Sequence, residues 1–415
     1  MKVAVIGAGI QGICTAYELA SEGMQVSVFD RHHAAAEGAS FANGSVLSAL
    51  VTSSLLDHIS LSAAMRVSLQ GRHEPNWQGL APAMLHWART TRKLNQNPLG
   101  VSRRKDLQDL AKLSRARLDA LCQALRLDLD RSEGVMLLMR TERDSQHWTA
   151  TLREMAESGQ ESACLNREQA QSIEPALRED TPLHQAIWLG EDANANCRQF
   201  ALLLKTRAEE MGVQFHHQTD VLPWVKSQAI HHVRTNQQDH GPFDAVVVCA
   251  GAQATRLTQP LGIRVPLQSI HGHSISAAVR EPLDAPRSVV FDTRHQVSIA
   301  RLGQRVRVAG AYTVGHSDEP AKSRLELLYK VLDDWFPGAA RTHDNPQIWH
   351  ASVLSTADGL PLVGRTPIEG LWLNTAHGLS GWTVACASAR LLADQLSGKS
   401  PALDPDKFNL TRWSR

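Results

Sequence analysis

At 415 residues and a formal net charge of +1, the chain is long enough for two packed domains and too near neutrality to attract polyanions. Hydrophobic residues make up 43% and charged residues 20%, an ordinary soluble balance, and no apolar run reaches the ~18 residues that span a bilayer. The run Arg103-Arg104-Lys105 is interspersed with Asp106, Asp109 and Asp119, so it reads as a solvated helix face and not as a nucleic-acid surface. Six cysteines (Cys14, Cys122, Cys164, Cys197, Cys249 and Cys386) show no Cys-x-x-Cys or His-Cys spacing, which predicts buried reduced thiols and no metal site. The short N-terminal apolar run is not a signal peptide, and a cytoplasmic protein is expected.

Met1 to Ile6 reads as a buried strand, followed at once by Gly7-Ala8-Gly9-Ile10-Gln11-Gly12 and a helix to about Glu22. A second strand, Gln25 to Phe29, ends on Asp30, 23 residues after Gly7. Each glycine has a reason: Gly7 permits the tight turn, Gly9 lets backbone approach a pyrophosphate, and Gly12 lets helix and strand pack closely. Free N–H groups at the helix start favour phosphate, and a carboxylate at Asp30 can accept from an adenosine ribose. These parts together predict a dinucleotide site that also includes Ile10, Gln11 and Arg31.

Arg31 to Gly38 is a loop of small residues that leads into Ser40-Phe41-Ala42-Asn43-Gly44-Ser45. Residues 53 to 131 read as mainly helical. Their clearest piece is Lys105 to Leu127, where Leu107, Leu110, Leu113, Leu118, Leu121 and Leu125 recur at core-packing spacing. A strand over 134–139 and a helix from about Glu142 to Ser158 follow. Next come a strand over Ala186–Leu189, a loop over Gly190–Asn196 and a helix from about Arg198 to Met211. Strands are expected at 213–216 and from Phe243 to Ala252. Strands alternating with helices imply a parallel sheet here.

From residue 263 to 312 the texture changes. Val297–Arg301 and Arg305–Tyr312 flank Leu302-Gly303-Gln304 as a hairpin with a three-residue loop, and with 271–278 they imply an antiparallel sheet. A strand over 371–374 and a helix over Gly381–Leu396 return to α/β character. The expected architecture is therefore α/β, with a Rossmann-like domain over 1–52, 165–255 and 354–415. The second, antiparallel-sheet domain takes 53–164 and 256–353.

Four segments resemble the FAD-dependent D-amino-acid oxidase and glycine/sarcosine oxidase family, most closely the bacterial D-amino-acid dehydrogenases. The first is the glycine fingerprint, extended by Ala16, Leu19, Gly23, Val26, Val28 and Asp30. The second is Ser40-x-x-Asn43-Gly44. The third is Thr219-Asp220-Val221 with the strand from Asp244 ending in Ala250-Gly251. The fourth is Asp358 to Gly364 and then Leu371 to Thr383, which includes His377-Gly378-Leu379-Ser380-Gly381-Trp382-Thr383. The resemblance implies FAD held non-covalently by Gly7, Gly9, Ile10, Gln11, Gly12, Asp30, Arg31, Ser40, Asn43, Gly44, Val221, Ala250, Gly251, Gly364 and the residues His377 to Thr383. Backbone N–H groups around Ser380 to Thr383 would face the flavin's pyrimidine edge and stabilise charge as hydride arrives.

The chain departs from that family in three places. Where relatives carry Arg-Pro five residues before the Asp-Gly pair, an arginine that clamps a carboxylate, this chain has Val353-Leu354. Where relatives read Lys-Gly-Tyr, it has His271-Gly272-His273. The strand Arg307-Val308-Ala309-Gly310-Ala311-Tyr312 ends in a tyrosine. His271 and His273, at i and i+2, are expected to line a polar cavity facing the flavin. Tyr312, on the face of Val306 and Val308, is a core residue or a substrate hydroxyl, and Arg307 on the other face is structural. His271, His273, Arg301 and Tyr312 are the candidates to replace the missing clamp.

The implied activity is dehydrogenation of an amine or amino acid by hydride transfer to flavin, with release of an imine that water hydrolyses. The alternatives are a secondary amine (D-proline, a hydroxyproline or an N-methyl amino acid) or a role as the FAD-bearing subunit of a heteromeric dehydrogenase. The implied partners are the small-molecule substrate and an electron acceptor (quinone, oxygen or another carrier). Peripheral contact with the inner membrane face is left open.

Overall fold

A computed structural model describes residues 1–58, 82–95, 98–157, 161–224, 230–314 and 322–413. The chain begins with β1 (Lys2–Ile6), α1 (Ile10–Ser21), β2 (Gln25–Phe29) and β3 (Val46–Leu47), then α2 (Ala49–His58), α3 (Pro82–Asn95) and α4 (Pro98–Leu125). Next come β4 (Arg131–Met139), α5 (Glu142–Glu157), β5 (Ala163–Leu165), α6 (Arg167–Ile173), β6 (Gln185–Ala195) and α7 (Cys197–Glu210). The middle holds β7 (Gln214–His216), β8 (Val233–Arg234), β9 (Asp239–His240), β10 (Ala245–Val248) and the short α8 (Ala254–Thr258). The rest comprises β11 (Leu267–Ala278), β12 (Val289–Asp292), β13 (Val297–Leu302), β14 (Arg305–Val314) and α9 (Lys322–Trp335). It closes with β15 (Gln347–Thr356), β16 (Leu362–Arg365), β17 (Leu371–Thr375) and α10 (Gly381–Leu396).

Two sheets organise these elements. The first has six strands in the order β16-β17-β10-β1-β2-β7, parallel except for β16 against β17. The second has nine strands, β15-β11-β14-β13-β12-β4-β6-β3 with β5 on β6, and is antiparallel apart from β12 against β4. The expected α/β architecture is therefore present. The central strand β1 reads as an apolar run because both its faces are covered: Val3 and Val5 join one core, Ala4 and Ile6 another. The expected leucine stripe lies on α4, where Leu107, Leu110, Leu118 and Leu121 are buried against α1 and α10. Residues 59–81 and 96–97 of the expected helical stretch, and Ser158, lie outside the described residues.

Several expectations change. The segment expected as a loop over 190–196 continues β6 to Ala195, because Ala193 and Asn194 pair with both β4 and β3. A register shift between Glu133 and Val135 on the partner strand absorbs the mismatch. Strands β5 and β6 thus belong to the nine-stranded sheet, so residues 163–195 pair with the elements expected to form the second domain. Strand β3 joins that sheet too, and β15 runs through the boundary drawn at 353/354. The β13–β14 hairpin turns over two residues, Gly303 and Gln304, since Leu302 and Arg305 are paired. Four cysteines are buried as expected, but Cys164 is exposed and Cys122 partly so; all six are free.

Candidate active site

One cavity of about 820 Å³ runs along the carboxyl ends of the parallel strands and onto a face of the nine-stranded sheet. At its first end the walls are backbone. Gly7 has φ 109°, which a side chain resists, and a Cβ there would lie 2.6 Å from the Cys249 carbonyl. A Cβ on Gly12 would sit 1.7 Å from the Gly7 carbonyl, so α1 packs on the turn at a distance only glycine allows. The first turn of α1 holds no acidic side chain and Gly9 offers no side-chain cap; the Ile10 N–H donates to Ser40 Oγ at 3.0 Å. The α1 dipole therefore opens on the cavity without a competing anion of its own.

Asp30 borders the same end and is already engaged locally. One carboxylate oxygen accepts from the Ala8 N–H at 2.6 Å, the other from the His32 N–H at 2.8 Å and Nδ1 at 2.9 Å. The anchoring role of His32 is not visible in a nucleotide fingerprint. Arg31, Val221, Ala250 and Gly251 also border this end, and Arg256 donates to Asp220 and to the Val221 carbonyl.

Midway, α10 points its N-terminus towards the cavity. Gln11 Nε2 donates to the Gly381 carbonyl at 2.6 Å, and its Oε1 accepts from Ser388 Oγ at 3.2 Å, which also meets His377 Nε2. Burial pushes the His377 imidazole down to about 3, so it is neutral at physiological pH. The side chains of three residues at this helix start tie it to the fold: Ser380 Oγ donates to Thr52 Oγ1, Thr383 Oγ1 to the Val46 carbonyl and Trp382 Nε1 to the Ala195 carbonyl. Trp382, His377, Gly378, Leu379, Gly381, Asn43 and Gly44 border the cavity, whereas Gly12, Ser380 and Thr383 lie behind its wall. Gly364, expected at the cofactor, is not there; a Cβ on it would meet Gln395 and Asn409.

At the far end strand alternation sets the face on which the expected histidines stand. Ser298 Oγ donates to the Gly44 carbonyl, so Ser298 faces the cavity. It pairs with Ala309, which pairs with Ser274, so these share that face. Alternation then turns His273 and Ile275 to the other face, where Ile275 packs in one core with Leu328 of α9. His350 lies opposite His273 in register; its ring stacks on that of His271 at 5.4 Å and is tilted against that of His273 at 4.8 Å. The cavity meets these strands along the continuous runs 270–273 and 349–354, so His271, His273 and His350 are among the residues that border it. Burial, then His350, push His273 down to about 4.

Tyr312 moves the opposite way. Between the pairs His271–Thr313 and His273–Gly310, two residues of β14 face Gly272 alone. This bulge keeps Ala311 in the core of Val306 and Val308 and turns Tyr312 to the cavity, its ring over Gly272. A bulge leaves no mark in hydrophobic alternation, so the expected face was wrong. Around Tyr312 the wall is apolar: Ile270, Val353 and Leu379 pack with Trp87 of α3 and Ala357. Arg301 is far from this wall in function, its guanidinium donating to the Gly303 and Pro282 carbonyls at the hairpin. Arg307 is buried and donates to Ser276 Oγ, in keeping with a structural role. Phe41 stacked on Trp349 at 4.1 Å also borders the cavity, a pair that only the folded register brings together.

On the cavity wall the buried Ser45 Oγ, Asn374 Oδ1 and Thr375 Oγ1 have no hydrogen-bond partner among the described residues. Such atoms need a hydrogen-bonding occupant. Residues 2–395 match the family described as FAD-dependent oxidoreductase, DAO. The chain belongs to that family. Its walls fit an elongated polar cofactor, and FAD is the cofactor of this oxidoreductase. It is 33% identical to a D-amino acid dehydrogenase of Cereibacter sphaeroides, covering 100% of this chain and 96% of that protein. A D-amino acid dehydrogenase of Vibrio cholerae is also 33% identical, over 97% and 96% of the two chains. Among solved structures, glycine oxidase from Geobacillus kaustophilus superposes with a TM-score of 0.76 at 22% identity, covering 99% and 98%. L-proline dehydrogenase from P. horikoshii gives 0.74 at 16% identity, covering 100% and 98%. Both structures share this oxidoreductase's fold.

Proposed function

We propose that this flavin-dependent oxidoreductase removes hydride from the carbon of a C–N bond in an amine or amino acid. The observation that carries this reading is the single cavity joining the α1 turn and the α10 N-terminus to the wall of Ile270, Tyr312 and Val353. The names of the relatives, D-amino acid dehydrogenase and glycine oxidase, point to the same reaction type. FAD, when bound, supplies the hydride acceptor.

The residues of the chain divide the remaining work. The N–H groups at the start of α1, with Ser40, Asn43 and Gly44, would hold the phosphates and the chain leading to the flavin. Asp30, Arg31, Val221, Ala250 and Gly251 would hold the adenosine end. His377 to Gly381 would lie along the pyrimidine edge, where the α10 dipole favours negative charge. The far wall orients the substrate's C–H; its amine binds neutral, the proton having passed to solvent, and no side-chain base is required. The imine leaves and water hydrolyses it to a carbonyl compound and the freed amine or ammonia. The electron acceptor is a quinone, oxygen or another carrier, reached from the cytoplasm or the inner membrane face. No helix among the described residues is long and apolar enough to cross a membrane.

The purified protein is expected to be yellow, to release its colour on acid precipitation, and to bleach anaerobically with an amine from a panel of D-amino, imino and N-methyl amino acids, their amides and simple amines. Colour retained in the pellet contradicts non-covalent binding. Flavin that dithionite bleaches but no amine does contradicts the reaction.

A further inference from the structure

The far end of the cavity differs in chemistry from the rest. Ile270, Val353 and Leu379 present hydrocarbon, backed by Trp87 and Ala357, and Val51, Leu55 and Phe291 border the cavity from another side. Among the described residues bordering the cavity, the arginines are Arg31 and Arg256. Both stand at the adenosine end, where Arg256 is held by Asp220 and the Val221 carbonyl. His271 and His273 border the cavity from strand positions that alternate to the face of Ile275, where burial keeps His273 neutral, and Arg301 is held at the β13–β14 turn. Among the described residues, the polar group beside this hydrocarbon is the Tyr312 hydroxyl. It makes no hydrogen bond to the described residues, and burial alone pushes its pKa up to about 12. It is a neutral donor at any working pH.

A free carboxylate pressed against such a wall would lose its hydration without gaining a cation from the described residues. A carbonyl of an amide or ester, or a plain alkyl group, carries no such penalty and can accept from a tyrosine hydroxyl. We infer that the substrate taken here is an uncharged amine derivative: its group against Val353 bears no free carboxylate, and Tyr312 donates to a neutral acceptor on it. This rests on the amine-oxidising reading above and narrows it. Val353 and Tyr312 are then specificity-determining residues, set by the apolar register of β15 and the bulge in β14.

The test uses the holoprotein under anaerobic conditions with matched pairs: D-alanine, D-proline and D-phenylalanine, each against its carboxamide. The carboxamides are expected to reduce the flavin at least tenfold more efficiently than the acids. Tyr312→Phe should raise the apparent Kd of the carboxamides severalfold and leave that of phenethylamine, which has no acceptor, unchanged. Val353→Arg should shift the preference towards the acids. A readout independent of turnover is the flavin absorbance change on titration with benzamide and with benzoate, in which benzamide should bind more tightly. Wild-type protein that prefers the acids, or binds benzoate more tightly than benzamide, overturns the inference and leaves amine oxidation standing. Failure of every compound, with flavin still reducible by dithionite, overturns both.

Discussion

The two ends of the cavity are built from different material. At the first end the walls are largely main chain: the Gly7–Gly12 turn, the start of α1 and the Ala250-Gly251 pair. At the far end they come from side chains, Ile270, Tyr312 and Val353, projected from a sheet. A backbone-built wall is specified by a few residues that must be small, and tolerates change elsewhere. A side-chain-built wall can be altered one residue at a time, which makes it the natural place for a new substrate preference. One fold can thus keep its cofactor end and vary what it oxidises.

The largest expected effect breaks the first end. Gly12→Ala puts a methyl group 1.7 Å from the Gly7 carbonyl, a backbone atom that cannot swing aside. The cost is about 3 kcal/mol or more, at the upper range of overpacking. FAD content after purification and thermal unfolding should both fall sharply; a yellow variant of normal stability would mean that α1 and β1 do not meet this closely.

Asp30→Asn should be milder. An amide keeps one acceptor oxygen for the Ala8 or His32 N–H and loses the charge, a change of roughly 1.5–3 kcal/mol in charge-assisted hydrogen bonding. FAD affinity should drop about tenfold, or ~1.4 kcal/mol, with a smaller loss of stability. Isothermal titration of the apoprotein reads the first and thermal melting the second. Undiminished affinity would remove Asp30 from the cofactor site and leave it as an anchor for His32.

The smallest effect concerns His273, at a position of β11 that alternates to the face of Ile275. His273 is neutral when folded, with its pKa depressed to about 4, whereas an unfolded histidine titrates near ~6.5. The unfolded chain therefore takes up the proton first as pH falls. Stability from this group is complete above about pH 6.5 and declines as pH falls towards 4. Denaturant unfolding between pH 7 and 4.5 should show a shallower slope in His273→Gln than in the parent, with the FAD affinity of the two alike at neutral pH. Equal slopes would place the imidazole in solvent, and loss of FAD would place it against the cofactor.

The same contrast explains what the sequence disclosed. The turn, Asp30 and the start of α10 were legible because close approach and helix dipoles demand particular residues at fixed spacing. The far end was not, because two features of the sheet leave no local trace. One is the pairing of β15 with β11, which sets His350 against His273 and brings Trp349 to Phe41. The other is the bulge at Ala311-Tyr312, which reverses the face that simple alternation assigns. The continuation of β6 through Gly190 was hidden for a related reason: Glu191 and Asp192 look like loop residues until β3 and β4 are placed on either side.

The central claim, that a C–H bond of an amine is broken by hydride transfer in this cavity, is tested most directly by an isotope effect on flavin reduction. Mixed anaerobically with an amine deuterated at the carbon to be oxidised, the holoprotein should bleach severalfold more slowly than with the protiated amine. Bleaching at equal rates, in a reaction shown to be limited by neither binding nor mixing, would mean that the C–H bond is not broken in that step.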